Sequence, residues 1–364
     1  MAKHYPRFCW KWPWILNIKT RLMKTFLKLI LVILTFQVTQ AQTAKGTIVI
    51  DSIYSENLVN DFEENPTREV GVYLPPNYGE GTKRYPVIYF LHGFYGDHTM
   101  LEPMKEILDF AIATKRIRPF ILVIPNQKTT YEGSFYSNSG VFGNWEDFTV
   151  QDLVYYMDEN YRTIAKKESR GITGHSMGGY GALNIAMKHP DVFNTVYAIS
   201  PGALAIVREY GPNSNTFKEL AEISTYEELE KTYFGKVMVA FARSWSPNPD
   251  NPPFYCDFPF GYENEELVIH QETLKKWQDN MPFYNLENYI DNLKSLKAIK
   301  MDWGRNAGER FTQQCKMFSI KLENLGIKHF AEEYIGTHVN NIYTKDGRIP
   351  QQVLPFFEYY LEFQ

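Results

Sequence analysis

The sequence predicts an α/β protein with a mostly parallel central sheet and helices on both faces. Compact apolar runs alternate along the chain with amphipathic stretches, beginning with "YPVIYFLHG" (85–93) and "MLEPMKEILDFAIATK" (100–115). The first is a short apolar run between Pro86 and Gly93, which suits a buried parallel strand. The second has apolar residues three and four positions apart, as an amphipathic helix requires. Repeated alternation of the two patterns favours parallel strands joined by helices.

The remaining elements follow in order along the chain. Two N-terminal stretches, "GTIVIDSIYS" (46–55) and "REVGVYLPPNY" (68–78), alternate apolar and polar residues and end in turn residues, as strands do. The later predicted strands are "PFILVIPN" (119–126), "SRGITG" (169–174), "FNTVYAISPG" (193–202), "LKAIKMDWG" (296–304) and "KHFAEEYIG" (328–336). The later predicted helices are "NWEDFTVQDLVYYMDENYRTI" (144–164), "YGALNIAMKHP" (180–190), "FTQQCKMFSIKLENLG" (311–326) and "QQVLPFFEYYLEF" (351–363).

Residues 203–297 interrupt this alternation. Within them, "ARSWSPNPDNPPFYCDFPFGYENEE" (242–266) is dense in proline and aromatic residues. Such a stretch forms neither a regular helix nor a central strand. We therefore expect an irregular insertion near 203–297, and long irregular insertions in compact domains commonly serve as lids or substrate walls.

Composition bounds the class of protein. The chain has 364 residues, of which 44% are hydrophobic and 22% charged, and these values are ordinary for a soluble globular enzyme. The net charge of −4 gives no reason to expect nucleic acid or an anionic membrane as a partner. The aromatic content of 16% fits a carbohydrate- or aryl-binding surface and a Tyr/Phe-rich core equally well.

The N-terminus has the features of an export signal. From Met23, "MKTFLKLILVILTFQVTQAQ" begins with lysines, continues into a short apolar run and reaches small or polar residues ending at Ala41. The apolar run is short for a transmembrane helix. We expect residues 1–41 to be a leader and residues 42–364 to be one exported domain, periplasmic or secreted. The residues before Met23 lack helical or strand periodicity, which predicts a true start at Met23; a long signal N-region or an uncleaved anchor is the alternative.

The cysteine pattern predicts no zinc site and no metal cofactor. The three cysteines, Cys9, Cys256 and Cys315, lack metal-ligand spacing such as C-x-x-C. In an exported protein Cys256 and Cys315 could form a disulfide, and two separate buried thiols are an equal alternative.

The stretch "GITGHSMGGYG" (171–181) contains a G-x-S-x-G pattern around Ser176. A predicted strand precedes it and a predicted helix follows it, which is the setting of a nucleophile elbow. A side chain at Gly174 or Gly178 would collide with a neighbouring strand or helix. The serine hydroxyl would then lie at the positive end of the helix dipole. We predict Ser176 to be a nucleophile; a purely structural glycine turn is the alternative.

Acyl transfer also needs two N–H donors for the developing oxyanion and a histidine base. The donors predicted here are the backbone N–H groups of Met177, after the serine, and of Phe94, in the loop after the strand that ends at Leu91. Among the eight histidines, His338 follows the last predicted strand in "EEYIGTHVNN", at the edge where the serine should lie. We predict His338 as the base.

Five stretches together resemble the "Putative esterase" family of α/β-hydrolases. That family includes esterase D (S-formylglutathione hydrolase), feruloyl esterase modules, enterochelin esterases and the mycolyltransferase antigens. The five stretches are "YFLHGFYGD", "GNWEDF" (143–148), "YRTI" (161–164), "GHSMGGYGAL" (174–183) and "YIGTHVNN". The similarity runs from about residue 46 to the C-terminus. It implies Ser176 as nucleophile, His338 as base, and the N–H groups of Phe94 and Met177 as oxyanion hole.

One position departs from the family pattern. The family usually places an aspartate three residues after the glycine of "AIKMDWG", and here that residue is Ala307. An imidazole that becomes cationic needs a carboxylate on its other nitrogen. Glu309 lies in the following loop and is the predicted acid. Asp302, inside the strand, and no acid at all are the alternatives.

These features predict an exported serine esterase that acts through an acyl-enzyme without a cofactor. The expected substrate is a small-molecule or saccharide ester, such as an acetyl or feruloyl ester on a sugar. No nucleic acid partner is expected, nor a membrane after signal cleavage. A catalytically weakened binding protein is one alternative, because a triad position is altered. An S-formylglutathione hydrolase-like thioesterase is the other, although export argues against that cytosolic role.

Overall fold

The structure is a computed structural model that describes residues 44–62 and 64–364, together with positions 1, 3, 4 and 23. Contacts divide the chain into two units, Met1–Ala44 and Lys45–Gln364. The second unit contains the strands and helices given below. Among the residues that the structure describes, no helix has the length and apolar character needed to cross a membrane.

The predictions for the N-terminal part and for the cysteines have different outcomes. The predicted leader, residues 1–41, and Cys9 within it lie outside the described residues, apart from isolated positions. Export and the start at Met23 therefore stay predictions. Cys256 and Cys315 are both buried and free, so the alternative of two separate thiols is the one that the structure shows.

A central sheet of eight strands forms the middle layer of the fold. The strands are β1 Thr47–Tyr54, β2 Thr67–Leu74, β3 Val87–Leu91, β4 Ile121–Pro125, β5 Arg170–His175, β6 Thr195–Ile199, β7 Ala298–Gly304 and β8 Phe330–Tyr334. Their spatial order is β1-β2-β4-β3-β5-β6-β7-β8, with β1 and β8 outermost. Among these eight, β2 alone runs in the direction opposite to the other seven, which confirms the predicted mostly parallel sheet.

The inner strands explain the compact apolar runs of the sequence. Every residue of β3, β4 and β6 is buried. Strands covered on both faces need apolar residues at every position rather than at alternate ones. Val87 and Tyr89 of β3 belong to one apolar core, and Ile88 and Phe90 belong to a second core on the opposite face.

Helices cover both faces of the sheet, as predicted. They are α1 Leu101–Ala113, α2 Trp145–Asp147, α3 Val154–Asn160, α4 Met177–Lys188, α5 Thr216–Ala221, α6 Tyr226–Leu229, α7 Tyr233–Trp245, α8 Gln271–Asn280, α9 Pro282–Asn285, α10 Ile290–Ser295, α11 Glu309–Asn324 and α12 Leu354–Tyr360. The π-helical segment Phe148–Leu153 joins α2 to α3. Helices α4 and α7 pack into the first core, and α1 and α12 into the second.

The prediction of an irregular insertion over 203–297 is wrong for most of that range, which contains helices α5 to α10. Helix α7 has a wide buried face because apolar residues recur three and four positions apart, as at Val237 and Phe241. The proline-rich stretch that follows it is irregular up to Pro259. It then forms a hairpin of Phe260–Glu263 with Glu266–Ile269, separate from the central sheet.

Candidate active site

Ser176 occupies the turn between β5 and α4, as the G-x-S-x-G pattern predicts. Its backbone has φ 60° and ψ −113°, a strained conformation for a residue other than glycine. A side chain at Gly174 or Gly178 would collide with the backbone oxygen of Leu91 on β3. The two glycines therefore let the turn pack against β3, and the predicted elbow geometry is present.

Hydrogen bonds from the neighbouring strand fix this strained turn. The Ser176 N–H donates to the Ile199 carbonyl oxygen at 3.0 Å, and the Gly202 N–H donates to the Ser176 carbonyl oxygen at 3.1 Å. Backbone strain persists only where surrounding contacts over-determine it. The end of β6 supplies those contacts, so the position of the Ser176 hydroxyl is set by the sheet.

The structure brings His338 to Ser176. His338 lies in the loop after β8, and its Nε2 is 2.8 Å from the Ser176 Oγ. The same loop is bound to the elbow, because His175 Nε2 donates to the His338 carbonyl oxygen at 2.8 Å. The predicted nucleophile and the predicted base therefore form one hydrogen-bonded pair.

The His338 ring lies in an apolar setting. Phe311 stacks on it with ring centroids 3.6 Å apart and an interplanar angle of 16°. Burial, together with the nearby His175 and Arg310, lowers the pKa of His338 to about 2. The imidazole is consequently neutral around pH 7, which is the state that can accept a proton from Ser176.

The prediction of Glu309 as the acid is wrong in this structure. Glu309 is exposed at the first residue of α11 and does not bond His338. In the described chain, the Nδ1 atom of His338 is buried and has no hydrogen-bond partner. A carboxylate at a helix start is favoured by the positive end of the helix dipole, which accounts for Glu309 without a catalytic role.

Asp302, the alternative acid, is also engaged elsewhere. Its carboxylate is fully buried on β7 and accepts hydrogen bonds from the Tyr197 hydroxyl at 2.5 Å and from Arg348 Nε at 2.6 Å. Arg348 follows the His338 loop in sequence and also pairs with Glu332 on β8 at 2.9 Å. This buried network ties the chain after His338 to the sheet and leaves His338 without a carboxylate, which was the third possibility.

Phe94 and Met177 lie beside Ser176 and line the same cavity. The loop after β3 approaches the elbow closely, since a Cβ on Gly93 would be 3.6 Å from the Ser176 Cβ. Within the described residues, neither the Phe94 nor the Met177 N–H donates to a protein acceptor. Two unused N–H groups next to the nucleophile fit an oxyanion hole.

His92 and His175 support the two turns rather than acting as bases. His92 is fully buried, its Nε2 accepts a hydrogen bond from the Gln127 N–H at 3.0 Å, and its carbonyl oxygen accepts one from the Tyr136 hydroxyl at 2.6 Å. Burial lowers the pKa of both His92 and His175 to about 4. Both rings therefore stay neutral while they hold the oxyanion loop and the elbow.

A cavity of about 40 Å³ adjoins Ser176. Its walls are mainly aromatic, and helix α7 supplies Phe234 and Phe241. The insertion thus forms a wall of this cavity, but through α7 rather than through the proline-rich stretch. Arg310 is the one charged side chain in the lining. The sequence patterns did not indicate Arg310 as a residue of the site, although it directly follows Glu309, the predicted acid.

The "WE" pair of the family-like stretch has a structural role. Trp145 is fully buried and its Nε1 donates to the Phe142 carbonyl oxygen at 3.0 Å. Glu146 pairs with Lys188 at 2.7 Å and with His189 at 2.9 Å, at the C-terminal end of α4. Hydrogen bonds from His189 and Lys188 lower the pKa of Glu146 despite its burial. The pair therefore anchors the helix that begins at the elbow.

The described residues contain no group of three or more His, Cys, Asp or Glu side chains arranged to hold a metal ion. The residues gathered at the elbow are a serine, a histidine that contacts its hydroxyl, and two backbone N–H groups without a protein acceptor in the described residues. With a sheet of order β1-β2-β4-β3-β5-β6-β7-β8, a serine elbow after β5 and a histidine after β8, the fold is that of an α/β-hydrolase.

A family model described as "Putative esterase" matches residues 63–346. The chain belongs to this family. It is 33% identical over 277 residues to Esterase Rv1288 of Mycobacterium tuberculosis, which covers 74% of the chain and 52% of that protein. It is also 33% identical over 147 residues to an endo-1,4-beta-xylanase/feruloyl esterase of Xylanibacter ruminicola, covering 36% of the chain and 19% of that protein. The chain thus spans about half the length, or less, of these curated relatives.

Solved structures agree on the fold. A ferulic acid esterase superposes with a TM-score of 0.61 at 22% identity, covering 87% of this chain and 100% of that one. An S-formylglutathione hydrolase from Agrobacterium tumefaciens superposes with a TM-score of 0.56 at 16% identity, covering 87% and 96%. At these identities the likeness concerns the fold alone.

Proposed function

We propose that this protein is an exported serine esterase that hydrolyses carboxyl esters through an acyl-enzyme. The observation that carries the proposal is the 2.8 Å contact between His338 Nε2 and the Ser176 Oγ on a strained elbow. A nucleophile and a base within hydrogen-bond reach are the signature of nucleophilic catalysis. Membership of the esterase family supports the same reaction class.

The reaction follows from these positions. The Ser176 Oγ attacks the ester carbonyl carbon while its proton passes to His338 Nε2. The carbonyl oxygen becomes an oxyanion and accepts hydrogen bonds from the Phe94 and Met177 N–H groups. The C–O bond to the alcohol then breaks, and the alcohol leaves with the proton from His338. Water, deprotonated by His338, attacks the acyl-enzyme and releases the acid and free Ser176.

The site works without a carboxylate on His338. Ring stacking by Phe311 and the bond from His175 to the His338 carbonyl oxygen orient the imidazole instead. Neither contact offsets the positive charge that His338 acquires during the reaction. We therefore expect turnover slower than that of a complete triad, in which the carboxylate contributes up to about 10⁴-fold in kcat.

The size of the cavity favours a short acyl group. Its volume is about 40 Å³, whereas sites for drug-sized ligands have roughly 300–1,000 Å³. A space this small favours an acetyl group over a feruloyl group on the acyl half of the ester. Of the two predicted esters, we propose the acetyl ester on a saccharide or small molecule as the substrate.

The first test is the replacement Ser176→Ala. It should abolish hydrolysis of 4-nitrophenyl acetate, because the hydroxyl is the attacking group, while the thermal unfolding midpoint stays near that of the wild type. Ser295→Ala, at an exposed serine that ends α10, is the matched control and should retain full activity. Retained activity in Ser176→Ala would contradict the proposal.

A catalytically weakened binding protein is the second candidate, and the unpartnered His338 Nδ1 favours it. A fluorophosphonate probe separates the two, since only an activated serine reacts with it. We expect labelling of the wild type and none of Ser176→Ala. An unlabelled wild type would favour the binding protein.

Export and the rejection of a thioesterase role are tested separately. Export is proposed because of the leader pattern in residues 1–41. N-terminal sequencing of protein recovered outside the cytoplasm should find a start at or near residue 42.

S-formylglutathione should be hydrolysed no better than simple acetyl esters. A strong preference for S-formylglutathione would favour the thioesterase alternative.

A further inference from the structure

Arg310 gives the cavity beside Ser176 a positive charge. Its guanidinium carbon lies 4.7 Å from the ring centroid of Phe234 and 4.9 Å from that of Phe311. The side chain is half-buried between these rings, with Ser176 in the same cavity lining. A guanidinium in contact with two aromatic rings keeps a defined position, and here that position is in the lining of the cavity beside Ser176.

The Arg310 guanidinium forms no ion pair in the part of the chain that the structure describes. Among the described residues, no carboxylate lies within 4.0 Å of Arg310, and its side chain donates no hydrogen bond. Neither its neighbour Glu309 nor Glu209 pairs with it. By contrast, the buried Arg348 pairs with both Asp302 and Glu332. A guanidinium carries five N–H donors in a planar fork that matches a carboxylate, and here all are available.

The position of Arg310 selects one half of the ester. Phe311, over which Arg310 lies, stacks on the His338 ring. His338 protonates the leaving alcohol, so the alcohol must occupy the His338 side of the serine. The proposed oxyanion donors, the N–H groups of Phe94 and Met177, would instead hold the carbonyl oxygen of the acyl half.

We propose that Arg310 binds a carboxylate on the alcohol half of the ester, so that the substrates are acetyl-sized esters of hydroxy acids or of uronic acid sugars. This inference rests on the proposed esterase function and names the substrate class of the same site. It gives the site a polar anchor that the aromatic walls lack.

A bound carboxylate would also help the chemistry. Arg310 is one of the groups that lower the pKa of His338. An anion on Arg310 offsets that charge and makes protonation of His338 less unfavourable. The substrate would then supply part of the negative charge that a triad carboxylate normally provides.

Two matched pairs of chromogenic esters test the proposal. The first pair, 4-nitrophenyl acetate and 3-carboxy-4-nitrophenyl acetate, differs by a carboxylate on the alcohol half. The second pair, 4-nitrophenyl butyrate and 4-nitrophenyl hemisuccinate, differs by one on the acyl half. We expect the wild type to favour the carboxylated member of the first pair by about tenfold or more in kcat/KM, after correction for spontaneous hydrolysis, because charged hydrogen bonds have that strength.

Three variants assign the preference to Arg310. Arg310→Gln should abolish it and Arg310→Lys should retain part of it. Arg305→Gln is the matched control: it removes a positive charge from the same loop, at a side chain 69% exposed and paired with Glu333, and should leave the preference unchanged. A preference that is missing in the wild type, that persists in Arg310→Gln or that is confined to the acyl pair overturns the proposal.

Binding separates this inference from the proposed function. The phenol 5-hydroxy-2-nitrobenzoate is the leaving group of the carboxylated ester, and it should bind the wild type about tenfold more tightly than 4-nitrophenol does. The Arg310→Gln variant should bind both phenols equally weakly. Binding with that preference but without turnover would contradict the esterase function and support the anion site. Equal binding of both phenols would overturn the anion site even if simple esters are hydrolysed.

Discussion

Single residues decide how the Ser176–His338 pair is held in place. At the position where the family resemblance implies an aspartate, Ala307 offers no carboxylate, and Glu309 is exposed to solvent. Phe311 covers one face of the His338 ring, and His175 holds the backbone of the same residue. The orientation of the base is therefore a matter of stacking and of a backbone hydrogen bond, whereas its charge is left uncompensated.

Phe311 is thus expected to be a positioning residue. Phe311→Ala should lower kcat for 4-nitrophenyl acetate by on the order of tenfold with little change in KM, because the freed imidazole misaligns with Ser176. Phe311→Tyr, which keeps the stacked ring, should restore most of kcat. Glu309→Gln, the neighbouring control, should change kcat by less than about threefold, as surface substitutions do. A tenfold loss in Glu309→Gln would return Glu309 to the triad.

At the scale of elements, sequence reasoning succeeded where one pattern dominates. The sequence runs that form β3 and β4 are apolar throughout because these strands are covered on both faces. The G-x-S-x-G turn could be predicted because its glycines are needed where the turn packs closely against β3. Helix α7 escaped notice because the prolines that follow it dominate the composition of the region. The place of Arg310 in the cavity could not be predicted, because it depends on contacts with two rings, Phe234 of α7 and Phe311 of α11, that are far apart in the sequence.

The attachment of α4 to the preceding helical segment is testable. Glu146→Gln should lower the free energy of unfolding by about 1–3 kcal/mol, since it removes the buried carboxylate that accepts hydrogen bonds from Lys188 and His189. Urea denaturation measures the change, with Glu159→Gln on the exposed face of α3 as control. The elbow should survive, so kcat per folded molecule should stay near the wild-type value. An unchanged unfolding free energy would contradict the anchoring role.

At the scale of the whole molecule, buried imidazoles link stability to pH. Burial lowers the pKa of His92 and His175 to about 4 and that of His338 to about 2. In the unfolded chain these rings have the ordinary histidine pKa near 6.5, so they take up protons as the pH falls below that value. Protons therefore favour the unfolded state in this window, and stability that is complete above pH 6.5 is lost as the pH falls toward 4.

Two measurements check this linkage. The thermal unfolding midpoint should fall steadily from pH 7 to pH 5, and equally in His270→Gln, which removes an exposed histidine. Over the same range kcat/KM at a temperature where the protein stays folded should change little, because His338 remains neutral. A kcat/KM that drops with a midpoint near 6.5 would mean that His338 has an ordinary pKa.

The outer position of β8 has a consequence for association between molecules. An edge strand offers unpaired N–H and C=O groups to which a second chain can add, and such addition leads to aggregation. β8 carries two carboxylates that form ion pairs: Glu332 pairs with Lys300, and Glu333 pairs with Arg305 and Lys316. Charged side chains of both signs therefore lie along β8. Charged edges resist strand addition. We therefore expect the charges on β8, the strand that leads into the His338 loop, to disfavour pairing with a strand of a second molecule. Because salt screens these charges, aggregation at high protein concentration should increase with ionic strength.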